Sequence, residues 1–110
     1  GLGAGLAVIL YEVRLDVDGA VAAEYRDWLG AHVREILALP GFVCADVLSE
    51  PRSAGRVGWC VHYWLRDQAA LDAYLRDHAP RLRADGLARF PGRFSGERRV
   101  LALDERLSPS

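Results

Sequence analysis

The chain has 110 residues, of which 51% are hydrophobic and 26% are charged, a balance typical of a folded domain and not of a disordered segment. The net charge of −1 provides no general attraction for nucleic acid or for an anionic membrane, so neither is expected as a partner. Two cysteines are too few for a disulfide framework, and a reducing, cytoplasmic location is therefore expected.

We expect residues 1–110 to form a single domain with short flexible ends. The glycine-rich residues 1–6 are expected to be a leader and residues 107–110 a tail. The opening GLGAGLAVIL has no basic region before its apolar run and is too short to span a bilayer. Neither a secretory signal nor a membrane anchor is therefore predicted.

The first predicted element is a strand within residues 7–17, where apolar and charged side chains alternate. Side chains two positions apart lie on the same face of a strand, so this pattern predicts one buried and one solvated face. The apolar face carries Tyr11, Val13, Leu15 and Val17, and the charged face carries Glu12, Arg14 and Asp16.

A helix is predicted over residues 19–39, with Asp18 as its N-cap and Pro40-Gly41 as its end. Side chains that recur at helical spacing form one apolar and aromatic stripe along it. The stripe consists of Val21, Tyr25, Trp28, Leu29, His32 and Ile36. We expect this stripe to face a sheet.

The next two strands are predicted over residues 42–50 and 57–65, joined by the loop PRSAGR. The second of them is apolar on both faces, with Trp59, Val61, Tyr63 and Leu65 on one face and Cys60, His62 and Trp64 on the other. Such a strand needs cover on both sides. In a chain of this length a second copy is the simplest cover, so we expect a homodimer packed sheet to sheet.

The remaining predicted elements are helices over residues 68–78 and 80–89 and a last strand over residues 94–104. Asp67 caps the first of these helices, and Pro80 interrupts the helical run. The apolar stripe of the first helix contains Tyr74 and His78. The order βαββαβ predicts a ferredoxin-like α+β sandwich, with a four-stranded antiparallel sheet and helices on one face, assembled as a dimeric α/β barrel.

Two stretches carry a resemblance to a known family, EYRDWLGAHVREILALPGF (24–42) and YLRDHAPRLRADGLARFPGRFSGERRVL (74–101). On these residues the chain resembles domain-of-unknown-function family DUF4286, small bacterial proteins of about this length. The resemblance implies the ferredoxin-like fold and supplies no catalytic residues. In architecture the fold also resembles the dimeric α/β barrel proteins, which include cofactor-independent monooxygenases, isomerases and haem-handling enzymes.

Aromatic and imidazole groups on the inward stripes indicate a binding pocket between helices and sheet. The expected lining residues are Tyr25, Trp28, His32, Tyr74 and His78. Either histidine is suited to act as a general base near neutral pH. The alternative is that each is a core histidine bonded to a backbone carbonyl or a hydroxyl.

Six arginines lie between residues 78 and 101. The predicted surface helix would present Arg81, Arg83 and Arg89 as solvated charge. Arg98 and Arg99 are adjacent in a strand and point to opposite faces, so one of them can pair with Glu12 or Asp16 on the first strand. Arg93, between Phe90 and Phe94, is the candidate for gripping a carboxylate or phosphate.

Cys60 and His62 share a strand face and resemble part of a soft-metal site. Cys44 is expected near Cys60, because the hairpin register nearly pairs them. No CxxC motif, HxxxH motif or nearby carboxylate pair accompanies them, so buried thiols are favoured over zinc. We therefore expect no metal and no cofactor.

An RNA-recognition motif shares this topology, but its third strand requires aromatics at positions that are Gly58 and Cys60 here. The leading hypothesis is a homodimer that binds a small molecule. One alternative is a cofactor-independent monooxygenase or isomerase of an aromatic substrate, with His32 or His78 as the base. The other is a structural or regulatory dimer without a pocket, which a fully packed core would favour.

Overall fold

The computed structural model describes residues 7–110. In chain order the elements are β1 (Ile9–Asp18), a 3₁₀ turn (Gly19–Val21), α1 (Ala22–Leu37), β2 (Phe42–Glu50), β3 (Arg56–Leu65), α2 (Gln68–Asp77), α3 (Ala79–Arg89) and β4 (Phe94–Ala102). The leader expected at residues 1–6 lies outside the described residues. Residues 107–110 are exposed and have no regular secondary structure.

The four strands form one antiparallel sheet in the order β2-β3-β1-β4. The two strands with the most apolar faces, β1 and β3, are therefore central, and β2 and β4 are the edges. This topology confirms the predicted ferredoxin-like α+β sandwich. Between residues 7 and 110, none of the helices has the length and apolar content that crossing a bilayer requires.

The helical segments differ from the prediction at their ends. The segment predicted from residue 19 opens with the 3₁₀ turn, where the Asp18 carboxylate accepts a hydrogen bond from the Ala20 amide at 2.9 Å. The helix predicted over residues 68–78 ends at Asp77, and His78 is the joint between α2 and α3. Pro80 lies in the first turn of α3, where its missing amide hydrogen costs nothing.

The core lies between the helices and one face of the sheet, here called the inner face. Its buried members are Ile9, Tyr11, Val13, Leu15 and Val17 of β1, Val61, Tyr63 and Leu65 of β3, and Tyr25, Leu29, Val33, Ile36, Leu71, Tyr74, Ala79, Leu82 and Phe90 of the helical half. The strand positions are those that the alternation predicted, since side chains two residues apart share a face. Burial of these side chains supplies the main driving force of the fold.

The opposite, outer face of the sheet is organised as rows of side chains across the four strands. The central row runs from Asp46 on β2 through His62 and Glu12 to Arg99 on β4. Trp64 of β3 lies in the neighbouring row and is half-buried, with the Arg106 guanidinium 5.6 Å from the centre of its ring. The outer face of β3 is therefore only partly covered.

Candidate functional site

A cavity of about 260 Å³ lies between the helices and the inner face of the sheet. Four of the six side chains predicted for the site line it, namely Tyr25, Trp28, His32 and Tyr74. Further apolar wall is supplied by Val13, Leu15 and Leu82 among others. The core is thus not fully packed, and it encloses space on the side of the sheet that the helix stripes indicated.

Trp28 and His32 lie one turn apart on α1 and stack, with ring centroids 4.5 Å apart and planes inclined by 22°. The Nδ1 atom of His32 is buried and has no hydrogen-bond partner within residues 7–110. Burial lowers the pKa of His32 below its ordinary value of 6.5, although Glu35 and Asp85 oppose this effect. The imidazole is therefore neutral near physiological pH, and Nδ1 is an unsatisfied polar atom in the cavity wall.

Tyrosines form a second part of the wall. The ring of Tyr11 lies 6.0 Å from those of both Tyr63 and Tyr74. Burial raises the pKa of Tyr74 to about 12 and also raises the pKa of Tyr63, so both phenols keep their protons at neutral pH. They can therefore donate hydrogen bonds and do not supply a base.

Two arginines that the sequence did not assign to the pocket also line the cavity, Arg83 of α3 and Arg98 of β4. Arg83 donates a hydrogen bond from Nη2 to the Tyr11 hydroxyl at 2.9 Å. Arg83 is exposed, as predicted for a surface helix, and in addition one side of its guanidinium contacts the cavity wall. Arg98 lies opposite Val13 in the register, on the inner face, so the structure decides which of the two adjacent arginines points inward. An otherwise apolar cavity thus has positive charge in its wall.

The structure does not bring Arg93 or His78 to the cavity wall. Arg93 donates a hydrogen bond from Nη1 to the Asp18 carboxylate at 2.6 Å. Its anionic partner is therefore a residue of this chain, at the end of β1. The hydrogen bond from the Ala20 amide and then Arg93 hold the pKa of Asp18 below its usual range. His78 is half-buried at the joint between α2 and α3, because the helix that was expected to carry it inward ends one residue earlier.

A second cluster of polar groups lies on the outer face. Glu12 is only 5% exposed, and its carboxylate accepts hydrogen bonds from Arg99 Nε at 2.7 Å and from His62 Nε2 at 2.9 Å. The predicted pairing of Arg99 with the first strand is thereby confirmed. The Arg99 hydrogen bond is the main cause that lowers the pKa of Glu12, and burial opposes it. The Cys60 thiol belongs to the same cluster.

The expected proximity of the two cysteines was wrong. The register places Cys60 opposite Leu48 and Cys44 opposite Trp64, so the cysteines are four positions out of register. The carboxylate that the sequence search did not find is Glu12, which lies directly across from His62 on β1. Glu12 was missed because it is distant in the chain and adjacent only in the sheet.

These observations define a class of protein, a ferredoxin-like α+β domain with an enclosed, largely apolar cavity between its helices and its sheet. Within that class, the chain belongs to the family described as Domain of unknown function (DUF4286), whose model matches residues 8–103. The resemblance seen in the sequence is thereby confirmed, and the family description assigns no function. No curated protein is significantly similar to the chain.

Solved structures with the same fold include named oxygenases. SnoaB, a cofactor-independent oxygenase from Streptomyces nogalater, has a TM-score of 0.70 at 18% identity, with 94% of this chain and 99% of that chain covered. The monooxygenase from the gene ActVA-Orf6 of Streptomyces coelicolor, solved with nanaomycin D, has a TM-score of 0.64 at 17% identity, with 96% of each chain covered.

A third similar structure is the NE2512 protein of unknown function from Nitrosomonas europaea. It has a TM-score of 0.65 at 18% identity, with 96% of this chain and 97% of that chain covered. At these levels of identity the likeness establishes the fold and leaves the chemistry to the residues of this chain.

Proposed function

We propose that the protein binds a small planar aromatic molecule with an acidic hydroxyl or carboxyl group in the cavity on the inner face. The observation that carries this proposal is the buried, unpartnered Nδ1 of His32, a residue that lines the cavity. Leaving a buried polar atom without a hydrogen bond costs about 1–3 kcal/mol. A ligand that forms a hydrogen bond with Nδ1 would remove this penalty, whereas the apolar side chains around it cannot form such a bond.

The aromatic part of the ligand is inferred from the size and walls of the cavity. Its volume of about 260 Å³ is slightly below the roughly 300–1,000 Å³ usual for ligand pockets, which favours a one- or two-ring molecule. Tyr25, Trp28 and Tyr74 offer ring faces and edges for stacked or edge-to-face contacts. A flat ring uses such a wall better than a flexible aliphatic chain does.

The acidic group is inferred from Arg83 and Arg98. Guanidinium groups in a largely apolar wall favour a carboxylate or phenolate, because charge-assisted hydrogen bonds are stronger than neutral ones. Calorimetric titration with 1-hydroxy-2-naphthoate and with naphthalene tests the proposal. We expect the acid to bind measurably and the hydrocarbon to bind more weakly, whereas no heat of binding from either compound would contradict the proposal.

We further propose that the protein acts as a homodimer that packs outer face to outer face. Support comes from apolar side chains on that face, since Leu48 is 44% exposed, Leu101 is 39% exposed and Trp64 is half-buried. Native mass spectrometry tests this, and a mass of one 12.1 kDa chain only would contradict it. The free cysteines, Cys44 and Cys60, fit the further proposal of a reducing, cytoplasmic setting.

A second candidate function, a cofactor-independent monooxygenase or isomerase, is favoured by the neutral imidazole of His32 in the cavity. A neutral histidine can remove a proton from an acidic hydroxyl or methylene group of the substrate, and this step is common to both reactions. In the oxygenase, a methylene group loses two hydrogens and gains one atom of dioxygen, while the other atom leaves as water. The substrate thus supplies all four electrons that dioxygen accepts, and no external reductant is needed.

Oxygen consumption with 1-naphthol, a two-ring compound whose keto tautomer has such a methylene group, tests the oxygenase. We expect turnover that depends on His32. Binding of hydroxynaphthoate without any oxygen uptake would support the binding function and contradict this oxygenase function. The cavity counts against the remaining alternative, a structural or regulatory dimer without a pocket.

A further inference from the structure

The cluster on the outer face brings together three side chains of different chemistry. Cys60 and His62 are two positions apart on β3 and therefore share a face, and Glu12 lies directly across from His62 on β1. One sulfur, one imidazole nitrogen and one carboxylate oxygen of these residues lie within 4.8 Å of one another. The cavity proposed to bind the aromatic molecule lies on the other face of the sheet and uses none of them.

We propose that Glu12, Cys60 and His62 bind a zinc-type divalent ion. Thiolate, imidazole and carboxylate are the three ligand types that zinc takes in proteins, at distances of about 2.0–2.3 Å. The distance of 2.9 Å between His62 Nε2 and Glu12 Oε2 already suits two ligands of one ion, and the Cys60 sulfur lies within 4.8 Å of both. The backbone under all three is hydrogen-bonded sheet, which holds their spacing.

Arg99 orients the carboxylate for this role. Its Nε donates to Glu12 Oε1 at 2.7 Å and its Nη2 donates to Oε2 at 3.4 Å, while Oε2 also accepts from His62 Nε2 at 2.9 Å. Hydrogen bonds of this kind, from outside the ligand set, fix the direction of metal ligands and commonly change metal affinity by about 10–100-fold. Because Glu12 is 5% exposed, its carboxylate has little freedom to turn away.

The surroundings leave room for a fourth ligand. An open cleft beside the cluster is lined by Glu50, Glu97 and Arg14, among others, and it admits water. Arg14 and Arg99 are cations that would oppose a metal ion there, but each is paired, Arg14 with Glu50 at 2.9 Å and Glu97 at 3.6 Å, and Arg99 with Glu12 at 2.7 Å. Three protein ligands and one open position are typical of zinc sites that bind water or a small anion.

Binding requires lone pairs on the sulfur and on Nε2. The Cys60 thiol releases its proton to solvent, and the His62 proton moves from Nε2 to Nδ1, so no electron is transferred. All three ligands come from one chain. One ion per chain is therefore expected whether or not a second copy covers the outer face.

Titration of the chelator-treated protein with Co²⁺ tests the site, because a cobalt–thiolate bond has a charge-transfer band in the near ultraviolet. We expect this band to appear, to saturate at one ion per chain, and to disappear when Zn²⁺ is added. Cys60→Ser is expected to abolish the band, and His62→Gln to weaken Co²⁺ binding by at least about tenfold. The matched control is Cys44→Ser, which removes the other cysteine and should leave the band unchanged.

Folding of each variant is checked by circular dichroism. Glu12 is not substituted, because its removal would leave Arg99 and His62 without their hydrogen-bond acceptor. A folded wild-type protein without the charge-transfer band overturns the proposal. So does a band that survives Cys60→Ser or that is lost in Cys44→Ser. The ligand-binding test on the inner face is a separate measurement, and its outcome does not affect this one.

Discussion

Trp28 and His32 stack one helical turn apart, with 4.5 Å between ring centroids. The contact fixes the plane of the imidazole and covers it with an apolar surface, so that its Nδ1 is buried without a partner. This pair on α1 thus supplies part of the aromatic wall of the cavity and a buried nitrogen without a hydrogen bond. This pair is the natural target for the first variants.

His32→Ala is expected to weaken the binding of 1-hydroxy-2-naphthoate by at least about tenfold, which corresponds to about 1.4 kcal/mol. The reason is that the ligand loses its partner at Nδ1 and the wall loses a ring. His78→Ala is the matched control, since His78 is half-buried but does not line the cavity. Calorimetry measures both, and equal losses in the two variants would contradict the proposed site.

The stability of the protein should depend on pH through His32. Burial lowers its pKa in the folded state below 6.5, so the unfolded chain binds this proton more tightly than the folded protein does. The contribution of the neutral His32 to the free energy of unfolding is therefore complete above about pH 6.5, and it is lost progressively as the pH falls below that value. Urea unfolding at several pH values should show this loss.

His32→Gln removes the titrating group, so the free energy of unfolding should depend less on pH below about pH 6.5. His78→Ala should leave this pH dependence unchanged. An unchanged slope in His32→Gln would show that another group is responsible. The Glu12 and Asp18 carboxyls do not contribute to this pH range, because their pKa values are lowered from the ordinary values of 4.5 and 3.8. Their contributions are lost only at more acidic pH.

Arg83→Met should weaken binding of the naphthoate by about tenfold while leaving naphthalene binding little changed. Methionine keeps the apolar stem of the side chain and removes the charge. Arg89→Met on the same helix is the control, since Arg89 is exposed and outside the cavity wall. If both compounds lose affinity equally in Arg83→Met, the arginine acts through packing and does not select an anion.

Gly86→Ala should narrow the cavity. A β-carbon at this position of α3 would lie 2.9 Å from Trp28 Cη2, so the indole must move. The gain of about 1 kcal/mol from helix propensity is then offset by overpacking that costs about 1–3 kcal/mol. We expect weaker ligand binding and no gain in stability, as measured by calorimetry and thermal unfolding.

The control for this substitution is Gly30→Ala on α1. A β-carbon there would meet only the flexible end of Arg26 at 3.2 Å and that of Arg34 at 3.5 Å. It should stabilise the protein by about 0.5–1 kcal/mol and leave ligand binding unchanged. Stabilisation by Gly86→Ala with intact binding would show that the indole moves without cost.

Most of the architecture could be predicted from strand alternation and helix ends. The faces of β1 and β3 follow from the period of two along a strand. The topology predicts that one of the two adjacent arginines on β4 pairs with an acid of β1, and the register then selects Arg99 and Glu12. The pocket position was predictable because Tyr25, Trp28 and His32 recur at helical spacing. These are local regularities, and the sequence alone contains them.

The remainder depended on contacts between distant segments. Arg83 has a long side chain, and only the packed structure shows that it reaches Tyr11 as well as solvent. His78 was predicted inside α2 but lies at its C-cap, where a φ of −129° departs from the helical value and redirects the side chain. The Arg93–Asp18 pair joins the ends of β1 and β4, and no local pattern indicates it.

The hairpin register has a practical consequence for the redox behaviour of the chain. A disulfide needs Cα atoms within about 7 Å. Cys44 and Cys60 are offset by four positions along adjacent strands, roughly 13 Å at about 3.3 Å per residue. An internal disulfide therefore requires β2 to slide along β3. Any oxidised species seen on a non-reducing gel should link two chains, and the gel then reports directly which cysteines of neighbouring molecules can meet.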